Sequence, residues 1–207
     1  ETPQVIAEQA LQYPNIRMHH RYGERGLASA VLAGFRLARG AFVCVIDADL
    51  QHPPELLPTM LDVLARERSD LVVASRYVPG GSAAGLHGWW RRCASLACRQ
   101  LVHALFPETR CTTDPLSGYF MFRRGLVNID CLEPVGFKIL LEMLVRVPHA
   151  HVQDVPYVFA PRLREGSKAG LRPAIQFTQH ILRLKMLARP ARMPRPVDSV
   201  THRSLSA

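Results

Sequence analysis

The apolar positions along this chain change their period several times, and each change marks an element. Residues 3–11 predict a short helix and residues 15–19 a short strand. From Leu27 to Arg39, apolar residues fall at 27, 30, 31, 35 and 38, a helical spacing that Gly40 ends. Residues 41–46 form an unbroken apolar run rich in β-branched Val43, Val45 and Ile46. That run predicts a strand buried on both faces, as in a parallel sheet. Pro53-Pro54 closes the next loop, and Pro54 suits the first turn of a helix reaching Arg66. A second buried strand is predicted over 70–75, an amphipathic helix over 89–105, a third strand over 119–122 and a further helix over 137–147. Residues 152–159 alternate imperfectly and predict a last strand, followed by a basic amphipathic helix over 174–188. Gly80-Gly81-Ser82 and Gly85 predict a flexible loop. Strands alternating with helices argue for an α/β layered fold.

Composition narrows this only slightly. At 207 residues, with 48% hydrophobic and 21% charged, the chain suits one globular domain. The net charge of +9 is uneven, because ten Lys or Arg against two acids after Pro161 supply +8 of it. Such asymmetry points to an anionic partner: phosphate, an anionic membrane or nucleic acid. The basic end lacks interleaved aromatics, which argues against nucleic acid. Its last stretch, with Pro190, Pro194 and Pro196, reads as disordered. Five cysteines without C-x-x-C spacing argue against a disulfide framework and for a reducing compartment. The apolar runs fall far short of the ~20 residues that span a bilayer. Membrane contact is therefore expected to be peripheral, or to lie in parts of the parent protein outside this chain.

The chemistry centres on Asp47 and Asp49, placed where the first buried strand ends. Ligands in open α/β sheets bind outside the carboxyl ends of strands. Two carboxylates one residue apart suit Mg²⁺ or Mn²⁺, which prefers oxygen donors and often bridges phosphates. A lone D-x-D reads more often as a loop capping the next helix. The Leu50-Gln51-His52-Pro53-Pro54-Glu55 that follows favours the metal. No metal role is assigned to His19, His20, His52, His87 or His103; His52 is expected to shape the loop.

The segment from Asp47 to Glu55 resembles the signature of the inverting family 2 glycosyltransferases, and most of all that of the dolichol-phosphate (polyprenol-phosphate) mannose synthases. Further blocks agree in order and spacing: Arg25-Gly26-Leu27; Ala74-Ser75-Arg76-Tyr77; Trp89 to Ser95; Asp114-Pro115-Leu116-Ser117-Gly118; Gly136-Phe137-Lys138 with Glu142; and Arg162 with Ser167-Lys168. The resemblance runs from about Arg25 to Lys168. It implies a GT-A-like, Rossmann-like, mostly parallel sheet flanked by helices. It also implies roles. Asp47, Asp49 and Gln51 would surround Mg²⁺ or Mn²⁺. Arg76, Arg91, Arg162, Ser167 and Lys168 would bind the donor diphosphate. Asp114 would serve the acceptor, with Asp49 counted beside it in the catalytic set. Arg92 and Arg164 are read as surface residues. The implied reaction is transfer of a sugar, with mannose from GDP-mannose favoured, to a polyprenyl or dolichyl phosphate at the cytoplasmic face of a membrane. A UDP-sugar donor carrying glucose or an aminosugar is the enzymatic alternative, and a degenerate, non-catalytic interaction module the other.

Two departures stand beside the resemblance. The family's first strand with its P-x-Y-N-E turn, and its second ending in D-D-x-S, are not found here, so the fold is expected to be incomplete at its N-terminus and to lack part of the nucleotide pocket. Near the end, Glu165-Gly166 reverses the family's usual Gly-Glu order before Ser-Lys. The expected organisation is a catalytic domain over 1–170, a basic helix over 171–189 and a disordered tail over 190–207.

Overall fold

The computed structural model describes residues 2–23, 26–86, 88–133, 138–160 and 171–187. In chain order these form α1 (Thr2–Gln12), α2 (Leu27–Leu37), β1 (Phe42–Val45), α3 (Leu57–Arg66), β2 (Leu71–Ser75), α4 (Trp89–Leu105), β3 (Phe120–Arg123), α5 (Ile139–Arg146), β4 (Val152–Pro156) and α6 (Leu171–Leu187). A single 3-10 turn, Pro54–Leu56, leads into α3, as Pro54 predicts.

The sheet has the order β1-β3-β2-β4. β2 and β4 pair in parallel, while β3 runs antiparallel to both β1 and β2. Three of the four strands therefore point the same way, with β3 reversed between two of them. Alternate residues of each strand face opposite sides, and both sides carry a core. Leu71 and Val73 of β2 join Phe120 and Phe122 of β3 against Leu32 and Phe35 of α2 and Leu140 and Met143 of α5. Val72 and Ala74, with Tyr119 and Met121, pack on Met60 and Leu64 of α3. A third cluster joins Val102 of α4, Leu141 of α5 and Ile181 and Leu184 of α6. The basic helix therefore docks on the domain through one apolar face.

Three expectations need correction. Residues 15–19 form no strand and lie exposed. A strand needs a neighbour for its backbone groups, and no strand of the described residues borders this segment. Among the described residues β1 is an edge strand, paired on one side alone, and only its Val43 is buried. The glycine loop is not loose. Ser82 bridges Val158, and the Gly85 N–H donates to the Phe159 carbonyl at 2.9 Å. A Cβ on Gly81 would lie 2.6 Å from the Ser75 carbonyl oxygen, so glycine here permits close approach.

Glu142 of α5 is buried, and its carboxylate accepts from Arg146 Nε at 2.9 Å and from the Glu133 N–H at 2.7 Å. Burial nonetheless outweighs these partners and pushes its pKa up to about 7. A raised carboxyl pKa gives stability that is full below pH ~4.5 and is lost as pH rises through ~7. Urea unfolding should therefore show wild-type stability falling by up to about 3 kcal/mol across that window, beyond any fall in Glu142→Gln, which keeps the acceptor oxygen and loses the titration.

Candidate functional site

The end of β1 passes into a tight turn, residues 47–52, whose shape is over-determined. Leu50 adopts φ 62°, a left-handed conformation unfavourable for a side-chain-bearing residue. The Asp47 N–H donates to His52 Nδ1 at 3.1 Å, and the Gln51 N–H donates to Asp49 Oδ1 at 3.1 Å. Gln51 Nε2 donates to the Ala160 carbonyl at 2.8 Å, fastening the turn to the segment after β4. His52 is buried, stacked on Tyr119 with ring centroids 5.0 Å apart and flanked by Tyr157 and Phe159. Its Nδ1 lies 3.9 Å from Asp47 Oδ2, within ion-pair range. Accepting a backbone N–H at Nδ1 requires that nitrogen to be unprotonated, however, and burial lowers the imidazole pKa. His52 is thus a neutral brace, and the turn's charge is that of Asp47 and Asp49.

The second wall is the segment 114–118. Asp114 is 1% exposed and grips Arg76, which is 10% exposed. Arg76 Nε donates to Oδ2 at 2.8 Å and Nη2 to Oδ1 at 2.9 Å, a two-pronged pair. Burial opposes the charge on Arg76, but the bonds and charge of Asp114 outweigh it and hold the guanidinium protonated. Ser117 Oγ donates to the Ala74 carbonyl at 2.8 Å, pinning the segment to β2. A Cβ on Gly118 would lie 3.5 Å from Asp47 Oδ2, so this segment passes directly beside the D-A-D turn.

Between the two walls lies a cavity of about 140 Å³, whose polar lining includes Asp47, His52, Arg76, Ser117 and Lys138. Lys138 is half-buried, and its Nζ donates to the Leu116 carbonyl at 2.7 Å. Burial and then the nearby Arg76 lower its pKa to about 8, against the pull of Asp114 and Asp47.

The sequence-predicted residues are thus distributed unevenly. Asp47, Asp49 and Gln51 share one turn, and Arg76 and Asp114 meet as a pair beside it. Asp114, expected to serve the acceptor, has both carboxylate oxygens turned to Arg76. Arg91 lies on the first turn of α4, 5.1 Å from the Trp90 ring centroid, and is not part of the cavity lining. Arg92 donates to the Ala84 and Leu86 carbonyls, a surface role as expected. Arg162, Arg164, Ser167, Lys168, Arg25 and the Gly136-Phe137 block lie outside the described residues. His52 was expected only to shape the loop, as its brace of the turn does, and Lys138 was given no site role from sequence. Its place in the Gly136-Phe137-Lys138 block was the available signal for Lys138.

The donor set fits a hard divalent cation. Two carboxylates from one turn, one exposed and one half-exposed, match the way Mg²⁺ is usually held, by one or two carboxylates plus substrate phosphates and water. Among the described residues no group of three or more His, Cys, Asp or Glu could hold a metal, so the phosphates would have to complete the shell.

Comparison with known proteins adds the family. Residues 1–127 match the family described as Glycosyl transferase family 2. The chain is 37% identical over 179 residues to a dolichol-phosphate mannosyltransferase of Pyrococcus furiosus, covering 86% of this chain and 49% of that protein. It is 34% identical to the dolichol-phosphate mannosyltransferase of Saccharomyces cerevisiae, covering 82% and 64% respectively. An undecaprenyl-phosphate mannosyltransferase of Micrococcus luteus is 32% identical, with 78% and 68% covered. The chain therefore spans about half the length of the Pyrococcus protein and just under two thirds of the yeast one. In fold it resembles glucosyl-3-phosphoglycerate synthase of Mycobacterium tuberculosis, with a TM-score of 0.55 at 20% identity over 87% of this chain and 59% of that one. The same synthase has been solved with Mn²⁺ and UDP-glucose. A GT-A-like open sheet, a D-A-D turn at the end of its edge strand and a match over more than half of the sequence together place this chain in glycosyl transferase family 2.

Proposed function

We propose that this chain carries the diphosphate-binding and acceptor-side part of an enzyme that transfers a sugar from a nucleotide donor to a polyprenyl phosphate, with mannose from GDP-mannose the favoured pair. The observation that carries this reading is the juxtaposition of the Asp47/Asp49 turn with an Arg76 guanidinium locked by Asp114. The names of the similar proteins support the lipid-phosphate acceptor and the mannosyl group.

The chemistry suits these residues. A phosphate oxygen of the acceptor attacks the anomeric carbon from the face opposite the diphosphate. A new carbon–oxygen bond forms, the bond to the diphosphate breaks, and the configuration inverts. A phosphate monoester is already anionic near neutral pH, so no strong base is required. Asp114 is therefore assigned to orienting Arg76, and Arg76 to stabilising charge on the leaving diphosphate. A bound Mg²⁺ or Mn²⁺ would supply further charge neutralisation at the same oxygens, held by Asp47 and Asp49, with Gln51 beside them. Arg91, Arg162, Ser167 and Lys168 are proposed as additional phosphate contacts.

Membrane contact is assigned to α6. Its outward face carries Ile175, Leu182 and Met186, all well exposed. Of the basic side chains, Arg183 pairs with Glu133, and Lys185 Nζ lies 5.7 Å from the Phe106 ring centroid. Apolar insertion at the interface, rather than charge alone, is thus the expected attachment. No helix among the described residues is long and apolar enough to cross a membrane.

A donor panel tests the reading. With Mn²⁺ and a short-chain polyprenyl phosphate, transfer should be fastest from GDP-mannose and absent with the corresponding free alcohol. Faster transfer from a UDP-sugar would reassign the donor. Absence of transfer from every donor, by a folded chain, would favour the non-catalytic alternative.

A further inference from the structure

A second pocket, of about 460 Å³, lies outside the D-A-D site, lined by Arg99, His103 and Arg110 together with Gln100, Thr112 and Thr113. Arg91, Ser95, Arg99 and His103 recur every four residues on α4 and so share one helix face. That face leads from the first turn of α4 into the pocket. Tyr77, next to Arg76, is fixed against it: its hydroxyl meets Ser95 Oγ at 2.8 Å, and the Arg99 guanidinium sits 4.5 Å from its ring centroid. Arg99 Nε is buried and has no hydrogen-bond partner among the described residues.

The remaining groups are held in place. Thr109 donates its hydroxyl to the Phe106 carbonyl at 2.7 Å, so its oxygen accepts from His103 Nδ1 at 3.1 Å. Arg110 Nε donates to the His103 carbonyl at 3.3 Å. Thr112 and Thr113 direct their hydroxyls, and Thr113 its N–H, to Asp154. That carboxylate therefore already accepts three hydrogen bonds, and no acid lines the pocket. Burial first, and then the charges of Arg99 and Arg110, lower the His103 pKa against the opposing pull of Asp114 and Asp154.

We propose that this pocket is a second oxyanion site, which takes a phosphate-class group between the guanidiniums of Arg99 and Arg110. Two guanidinium forks match phosphate oxygens in geometry as well as charge. The volume holds a phosphate together with part of whatever it esterifies. Two sources share this chemistry, a free phosphate and the head of a lipid phosphate. The wall of the pocket is the segment that continues into Asp114, so an occupant sits one residue from the partner of Arg76. The site does not depend on the proposed transfer reaction, and its test is direct binding.

Titration calorimetry with inorganic phosphate, and separately with butyl phosphate, would be run on the whole chain in the presence of EDTA. Binding should persist in Asp49→Ala, which separates this pocket from the D-A-D turn. It should weaken at least about tenfold in Arg99→Gln and in Arg110→Gln, each of which removes a charged donor. Arg110 is exposed, so its variant keeps the test alive if Arg99→Gln destabilises the fold. Tighter binding of butyl phosphate would indicate an esterified ligand, and equal binding a free one. The proposal is overturned if wild-type protein binds neither at millimolar concentration, or if binding is unchanged in the arginine variants.

Discussion

Asp114→Ala is expected to lower the unfolding free energy by about 3–5 kcal/mol, the range for removing one partner of a buried ion pair. The size follows from burial. Arg76 is 10% exposed, and both of its observed side-chain hydrogen bonds end on Asp114. Without the carboxylate, a guanidinium that cannot shed its proton is left with its main partner gone. Against a typical total stability of roughly 5–15 kcal/mol, such a loss leaves a marginal fold. Asp114→Asn should fall between, because an amide keeps the shape and one acceptor but not the charge. Urea midpoints for the three proteins check this ordering. The outcome also decides the role of Asp114. A carboxylate acting as an acceptor-side base would leave stability unchanged in the Asn variant while transfer collapsed. The geometry predicts that stability falls together with donor binding.

The second large effect concerns Asp49. Asp49→Ala should reduce sugar transfer by at least about a hundredfold, in line with losing a principal stabiliser of leaving-group charge. Its cost to stability should be small. Asp49 is half-exposed, and it accepts a hydrogen bond from the Gln51 N–H within the same turn. That contact is worth about 1 kcal/mol. Asp49→Asn keeps this acceptor and should restore stability without restoring transfer. The pairing separates Asp49 from Asp114: loss of function with little loss of fold at the first, loss of both at the second.

How much of this was legible beforehand differs residue by residue. Asp47 and Asp49 could be located because a β-branched apolar run ends immediately before them, and periodicity is a local property. The helix predicted over 89–105 coincides with α4, and the strand over 70–75 with β2 within one residue, for the same reason. The pairing of Arg76 with Asp114 was not legible. The two stand 38 positions apart, and nothing local to either shows that the end of β2 and the turn before β3 converge. Lys138 as a wall residue was missed on the same ground, being defined by neighbours from distant segments, whereas the loop-shaping role expected of His52 holds in its brace of the turn. The strand over 15–19 failed because pairing is a tertiary condition that a local pattern cannot supply. β1 looked like an interior strand because its composition reports hydrophobicity, not position in the sheet. The glycine loop looked free because glycine marks both mobility and close approach, and only the carbonyls of Ser75 and Phe159 distinguish them here.

The Asp47/Asp49 turn is the proposed metal-assisted anchor for a diphosphate. Titration of GDP into the chain, with and without Mn²⁺, tests this most directly when wild type and Asp49→Ala are run side by side. Binding to wild type should tighten at least about tenfold on adding Mn²⁺, and that gain should vanish in Asp49→Ala while the folded signal remains. Equal Mn²⁺-dependent tightening in both proteins, or none in wild type, would contradict the assignment.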